Sequence, residues 1–237
     1  MTGRVLLVLL FAANAISTRS LLWAQNHGIS VALKGSLTTA SRVFTDPNSS
    51  DAFQRSQFFS LEDFFGYGVE VRYQLPETNV ALGLSADYIE TTIGQSIPLS
   101  TSKSVPVEDG YRVIPLELTG YFLIPVSSQT FGVFMGGGVG VYFGKRLYKL
   151  GDTEKPTTEA GRGFGIHVLG GLSYRFTEWF SLNAEMKFRD LQFQTTNQFI
   201  TSTAMYKGMP ISVSRTPSNA RVHTDGVVFQ LATAFHF

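Results

Sequence analysis

The residue types able to do chemistry are few in this chain and poorly placed for it. His27, His167, His223 and His236 stand far apart. No His-x-x-x-His pair and no acid at ligand spacing accompanies them, so no metal site is expected. Asp46, Asp51, Glu62 and Asp63 share one segment, but their spacing matches no calcium loop. The run Gly136, Gly137, Gly138, Val139, Gly140 fits neither the dinucleotide nor the phosphate-loop pattern, and no helix pattern follows it. Those glycines read as easing strand curvature and interior packing. His223, Asp225, Ser212 and Ser214 bring hydrolytic residue types into one stretch. With no Cys in the chain, disulfides, thiolate zinc sites and a lipid-modified N-terminal cysteine are all excluded. No catalytic residue, cofactor or metal is assigned.

The remaining charges carry a different message, because they alternate with apolar residues. Of 237 residues only 16% are charged and 13% are aromatic, with a net charge of +1. This disfavours disorder and a heavily solvated surface. It also argues against a nucleic-acid partner. Eight charges, Lys34, Glu70, Arg72, Asp87, Glu117, Arg175, Glu185 and Lys187, sit at every second position within otherwise apolar stretches. Something must position them on one face.

Residues 1–24 are expected to be a signal peptide. Arg4 precedes the apolar run Val5 to Ala13, and Leu22, Trp23 and Ala24 form a small-residue exit before Gln25. The run is too short for a spanning helix, which needs about 20 residues. Ala13, Asn14 and Ala15 offer a second cleavage motif. Cleavage after Ala24 removes Arg4 and Arg19 and no acid, turning the net charge of +1 into −1.

Residues 25–237 are expected to form one domain of eight strands, read from residue-by-residue alternation. The apolar positions run from Ile29 to Leu37, Phe65 to Leu75, Val80 to Tyr88, Ile114 to Ile124, Phe131 to Phe143, Phe164 to Phe176, Phe180 to Phe188 and Val227 to Phe237. Short connections at Pro76 to Asn79, Pro125 to Thr130 and Thr177 to Trp179 alternate with long ones near 38–64, 90–112, 145–163 and 190–225. Short turns at one end and long loops at the other describe an up-and-down meander. Within the last loop, Phe199 to Tyr206 and Ile211 to Arg215 alternate around Lys207, Gly208 and Pro210. Residues 193–221 could therefore form strand extensions or an extra hairpin.

The apolar face of these strands carries no charge, whereas the interleaved face holds the eight charges beside many glycines. A water-soluble barrel would need its charges outside. Eight strands enclose a space just wide enough to fill with side chains, so the charges fit inside as mutually compensating pairs. The uncharged face then meets lipid. Aromatics gather toward both strand ends, among them Tyr73, Phe122, Trp179 and Phe235 at the short-turn end and Phe65, Tyr67, Tyr88 and Phe164 at the other. Such belts mark membrane boundaries. The fold class is thus an all-β, transmembrane, antiparallel, up-and-down eight-stranded barrel.

The signal peptide, the meander and the C-terminal stretch Val227-Val228-Phe229-Gln230-Leu231-Ala232-Thr233-Ala234-Phe235-His236-Phe237 resemble the small eight-stranded bacterial outer-membrane barrels. These are the OmpA and OmpX transmembrane-domain type and their porin-like relatives. Gly136 to Gly140 and Gly170-Gly171-Leu172-Ser173-Tyr174-Arg175 look like glycine-rich central strands of that family. The resemblance implies a Gram-negative outer-membrane protein with N- and C-termini in the periplasm, surrounded by outer-membrane lipid. It also implies that Phe229, Leu231, Phe235 and Phe237 act as a signal read by the barrel assembly machinery. Thr233 departs from the family's usual apolar residue there.

Three functions follow from that expectation. The first is a non-enzymatic, monomeric barrel with an envelope-structural or surface-interaction role, using long extracellular loops whose partner the sequence does not name. Phe44, Phe53, Phe58, Phe59, Phe193, Phe199, Met205, Tyr206 and Met209 make those loops apolar enough to hold one. The second is a narrow porin-like channel for small solutes. The third, a lipid-modifying outer-membrane enzyme, would need His223 or His167 beside a nucleophile and an acid.

Overall fold

The computed structural model describes residues 28–100, 103–125, 130–224 and 226–237. The expected signal peptide, His27 and Asp225 lie outside these residues. The elements in chain order are β1 (Gly28–Phe44), the short helix α1 (Ala52–Ser56), β2 (Phe58–Gln74), β3 (Val80–Ser100), β4 (Lys103–Leu123) and β5 (Phe131–Leu150). There follow β6 (Thr153–Glu154), β7 (Thr157–Glu159), β8 (Gly161–Thr177), β9 (Phe180–Arg189) and β10 (Leu191–Asn197). The chain ends with β11 (Thr203–Tyr206), β12 (Met209–Ser212), β13 (Ser218–Thr224) and β14 (Val227–His236).

Eight of these strands, β1, β2, β3, β4, β5, β8, β9 and β14, pair in that order, and β14 pairs back to β1. The result is an antiparallel ring. Its last seam runs from Ser30 opposite His236 to Thr38 opposite Val228. All eight alternating stretches of the sequence lie in ring strands, because burial on one face only selects a period of two. The short connections at 76–79 and 177–179 form tight turns, as where the Leu75 N–H donates to the Val80 carbonyl at 2.9 Å.

The ring is strongly curved, and glycine permits it. A Cβ built on Gly138 would stand 1.9 Å from the carbonyl oxygen of Leu118 on the neighbouring strand, so no larger residue fits there without backbone movement.

At the other end the strands run on well past their alternating parts. The segments expected as long loops are mostly strand: β1 and β2 stay paired to Phe44 and Phe58, and β3 and β4 to Ser100 and Lys103. β10 and β13 carry the lines of β9 and β14 upward, pairing from Leu191 opposite Thr224 to Asn197 opposite Ser218. The alternation fades there for a physical reason. Where both faces of a strand meet water, as from Ile93 to Ile97, which are all exposed, nothing demands a two-residue period. The last long segment contains both expected alternatives, strand extensions and the β11 to β12 hairpin.

Inside the ring the side chains form layers. Ala32, Ala232 and Ala234 make one small cluster, and Ala81, Tyr121, Phe134 and Leu169 make another. A larger apolar cluster, including Phe64, Ile89, Tyr111, Val113, Tyr142 and Phe193, fills the end where the strands extend. There Tyr111 meets both Phe64 and Phe193 edge-on, each with ring centroids 6.0 Å apart. Charged residues occupy the layer between.

The outward face is apolar and bare. Phe164 is 79% exposed, Phe65 75% and Leu231 62%.

Candidate functional site

Alternation along β1, β2, β3, β4 and β9 turns every second residue into the ring, so charges distant in sequence meet across its lumen. Lys34 on β1 lies 3.4 Å from Glu70 and 3.2 Å from Asp87. The Arg72 guanidinium is 2.8 Å from Glu70 and 3.1 Å from Glu185. Arg189 reaches across from β9 to Asp87 at 2.9 Å and to Glu117 at 2.6 Å. Lys187 Nζ donates to Glu117 Oε2 at 2.8 Å. The order Glu185, Arg72, Glu70, Lys34, Asp87, Arg189, Glu117, Lys187 is therefore one chain of contacts with strictly alternating sign.

Four acids balance four bases in that chain. The balance matters because an unpaired charge in an enclosed, low-dielectric interior costs several kcal/mol. Neutral groups tie the network to the layers beside it. Tyr121 OH donates to Glu70 at 3.0 Å, and Arg72 stacks over the Tyr121 ring at 3.7 Å, a cation–π contact.

Seven of the eight charges expected to form an interior network are in it. Arg175 is not: it points inward on β8 but stands next to the short-turn mouth, exposed, where water screens it. Arg189 takes its place. Sequence reading ended the seventh strand at Phe188 and so missed Arg189, although it follows Lys187 by two positions on the same face.

On the short-turn side, a vestibule of about 510 Å³ opens, with Arg72, Tyr121, Arg175, Trp179, Asn183 and His236 among its walls. On the other side, the cluster around Tyr111 and Phe193 closes over the charges. Wide passage through this interior would require the network and the apolar layer to move together.

The described histidines each have a polar partner, and among the described residues none of them bonds both a hydroxyl and an acid. His167 is buried in the lumen, its Nε2 2.8 Å from Thr119 Oγ1. His223 lies 3.4 Å from Asp190, while Ser214 bonds Thr216 at 2.9 Å and Ser212 ends the β11 to β12 hairpin. His236 pairs with Ser181 at 2.8 Å. Asp51 of the first acidic segment caps α1, accepting from the Phe53 N–H at 2.9 Å. Among the described residues no group of three or more His, Asp or Glu is placed to hold a metal ion.

The C-terminal residues Phe229, Leu231, Phe235 and Phe237 all stand on the outward face and are exposed. Phe235 joins an aromatic belt at the short-turn end, stacking on Trp179 with centroids 6.2 Å apart and meeting Phe180 at 5.5 Å. At the far end of the bare face Tyr67 stacks on Tyr88 at 5.3 Å.

This architecture is a β-rich antiparallel fold built on a ring of eight strands. Among solved structures it is similar to the outer membrane protein OprG from Pseudomonas aeruginosa, with a TM-score of 0.57 and 12% identity over 90% of this chain and 96% of that one. Neisserial surface protein A aligns with a TM-score of 0.49 and 10% identity over 88% and 97% of the two chains. At 12% identity the likeness to OprG is one of fold alone. No protein-family model matches the chain, and no curated protein matches it.

Proposed function

We infer that the chain is a non-enzymatic integral outer-membrane β-barrel whose role is envelope structure or surface interaction. The carrying observation is the contrast between its two faces: a charge-free apolar exterior around a charge-balanced, filled interior. From Ile114 to Phe122 on the outward side of β4, eight steps of roughly 3.4 Å and a tilt of about 40° give an apolar band about 21 Å tall, with Arg112 at its rim. That is close to the roughly 25 Å apolar band of an outer-membrane barrel.

The fold likeness supports the outer-membrane location. The short turns and both termini are assigned to the periplasm and the extended strands to the outside, where they hold an interaction surface away from the lipid. The outward-facing Phe229, Leu231, Phe235 and Phe237 fit a signal read by the assembly machinery.

The test is conductance of the folded protein in planar bilayers, with heat-modifiable gel mobility as the folding control. A folded, silent barrel is expected. Steady conductance that rises in Glu117→Ala or Lys187→Ala would replace this reading with that of a narrow channel constricted by the charge layer.

A further inference from the structure

The outward faces of β4, β5 and β8 change character at a single level. On the band side of it stand Ile114 and Leu116, Val141 and Phe143, and Phe164 and Ile166. Immediately beyond them stand Arg112, Lys145 and Arg162. Arg112 is paired directly with Lys145, and Arg162 is paired with Phe143, one outward position from Lys145. Three cations thus lie side by side on adjacent strands.

Among the described residues one carboxylate bonds them, while Glu108 in the same cleft is paired with Lys149 on the neighbouring strand. Glu90 on β3 accepts from Arg112 Nε at 2.7 Å and also from Tyr88 OH. Three positive charges against one negative leave the arc basic. Elsewhere at this level the ring is mixed, with Glu62 and Asp63 on β2 accompanied by Arg42, and Asp190 accompanied by His223. The excess of positive charge faces one side only.

A row of cations on the rim of an apolar wall suits an amphiphile with anionic groups at its head. Arg presents a planar fork to phosphate oxygens, and Lys adds a flexible point charge. Both side chains lay their stems along apolar surface while the charge stays at the boundary. Directly below the arc, Phe143 of β5 and Phe164 and Ile166 of β8 stand exposed on the outward face, an apolar wall against which hydrocarbon can lie.

We propose that Arg112, Lys145 and Arg162 form a docking site for a phosphorylated lipid of the leaflet they face, with its acyl chains lying against β5 and β8. The site rests on the reading of the outward face as lipid-facing. A free inorganic anion would use the arc alone, whereas a phospholipid or phosphorylated glycolipid uses arc and wall together.

The experiment is native mass spectrometry of the folded full chain in detergent, with diphosphoryl lipid A, its dephosphorylated form and inorganic phosphate as probes. Retention of the diphosphoryl lipid is expected, with a loss of at least about tenfold in the double variant Lys145→Glu, Arg162→Glu. Arg42→Glu, on the far side of the ring, should retain the lipid like the native chain. Should the double variant fail to fold, Lys145→Gln with Arg162→Gln removes the charge without reversing it, and the same direction is expected. Equal retention of the phosphorylated and dephosphorylated lipids, retention unchanged by either double variant, an equal loss in Arg42→Glu, or displacement by millimolar phosphate alone would each overturn the site. Vesicle flotation of the native chain separates the two levels, since a protein that stays out of the bilayer refutes the lipid-facing reading itself.

Discussion

Glu117 shows how tightly the interior is specified at the scale of one residue. Its side chain is fully buried, and it is the shared partner of Lys187 and Arg189. Removing it leaves two bases in the lumen with only Asp87 to compensate them. Glu117→Ala is therefore expected to lower stability by roughly 3–5 kcal/mol, the cost of an orphaned buried charge. Urea unfolding followed by the gel-mobility shift measures it. Adding Lys187→Met should recover part of the loss, because the second change removes one of the orphans. A second substitution that deepens the loss would mean that packing, not charge balance, sets the value. The participants were almost all visible as charges in alternating stretches. Their partners were not, because pairs such as Asp87 with Arg189 join residues 102 positions apart across the ring. The choice of Arg189 over Arg175 depends on height in the lumen, which a list of inward positions does not contain.

At the scale of the element, the hairpin of β11 and β12 forms a two-stranded sheet of its own, bonded to the ring through Asp152 and Thr153. Tyr206 pairs with Met209, so Lys207 and Gly208 form its two-residue turn. Both have positive φ, 49° and 77°, which is the left-handed geometry that matches hairpin twist. Gly208→Ala places a Cβ in that region and should cost about 1–2 kcal/mol locally. Hydrogen exchange is the measurement: the Ala204 and Tyr206 amides are expected to exchange faster, while those of β4 and β5 keep their rates. A matching change in the ring would show that the hairpin folds as part of it. The turn was legible from Lys207 and Gly208 standing between two alternating runs. Pro210, expected to belong to the turn, lies in β12 opposite Met205. Extension of the ring strands was harder to read, since β3 beyond Glu90 is exposed on both faces and loses the pattern that marks it.

For the whole molecule the decisive property is what the bare outer face touches. Leu118 stands in the middle of the band on β4, 53% exposed. If lipid surrounds it, Leu118→Arg should destabilise the protein by roughly 2–4 kcal/mol when folded into phosphatidylcholine vesicles. A face bathed in water would accept the same change at almost no cost. Comparing the unfolding free energies of the native and variant chains in vesicles decides between them, and a difference near zero would remove the membrane-spanning reading. The antiparallel β class, the order of the eight ring strands and the separation of a charged face from an uncharged one were determined by the sequence itself. They follow from a period of two, from turn residues, and from the rule that charges avoid one face, all of which are local patterns. The tertiary structure decided which charges meet, how the charge layer is enclosed by apolar layers, and that the basic residues of β4, β5 and β8 stand in one row. Those facts arise when curvature and register bring distant strands together, and pairing across a ring leaves no trace in the order of the residues.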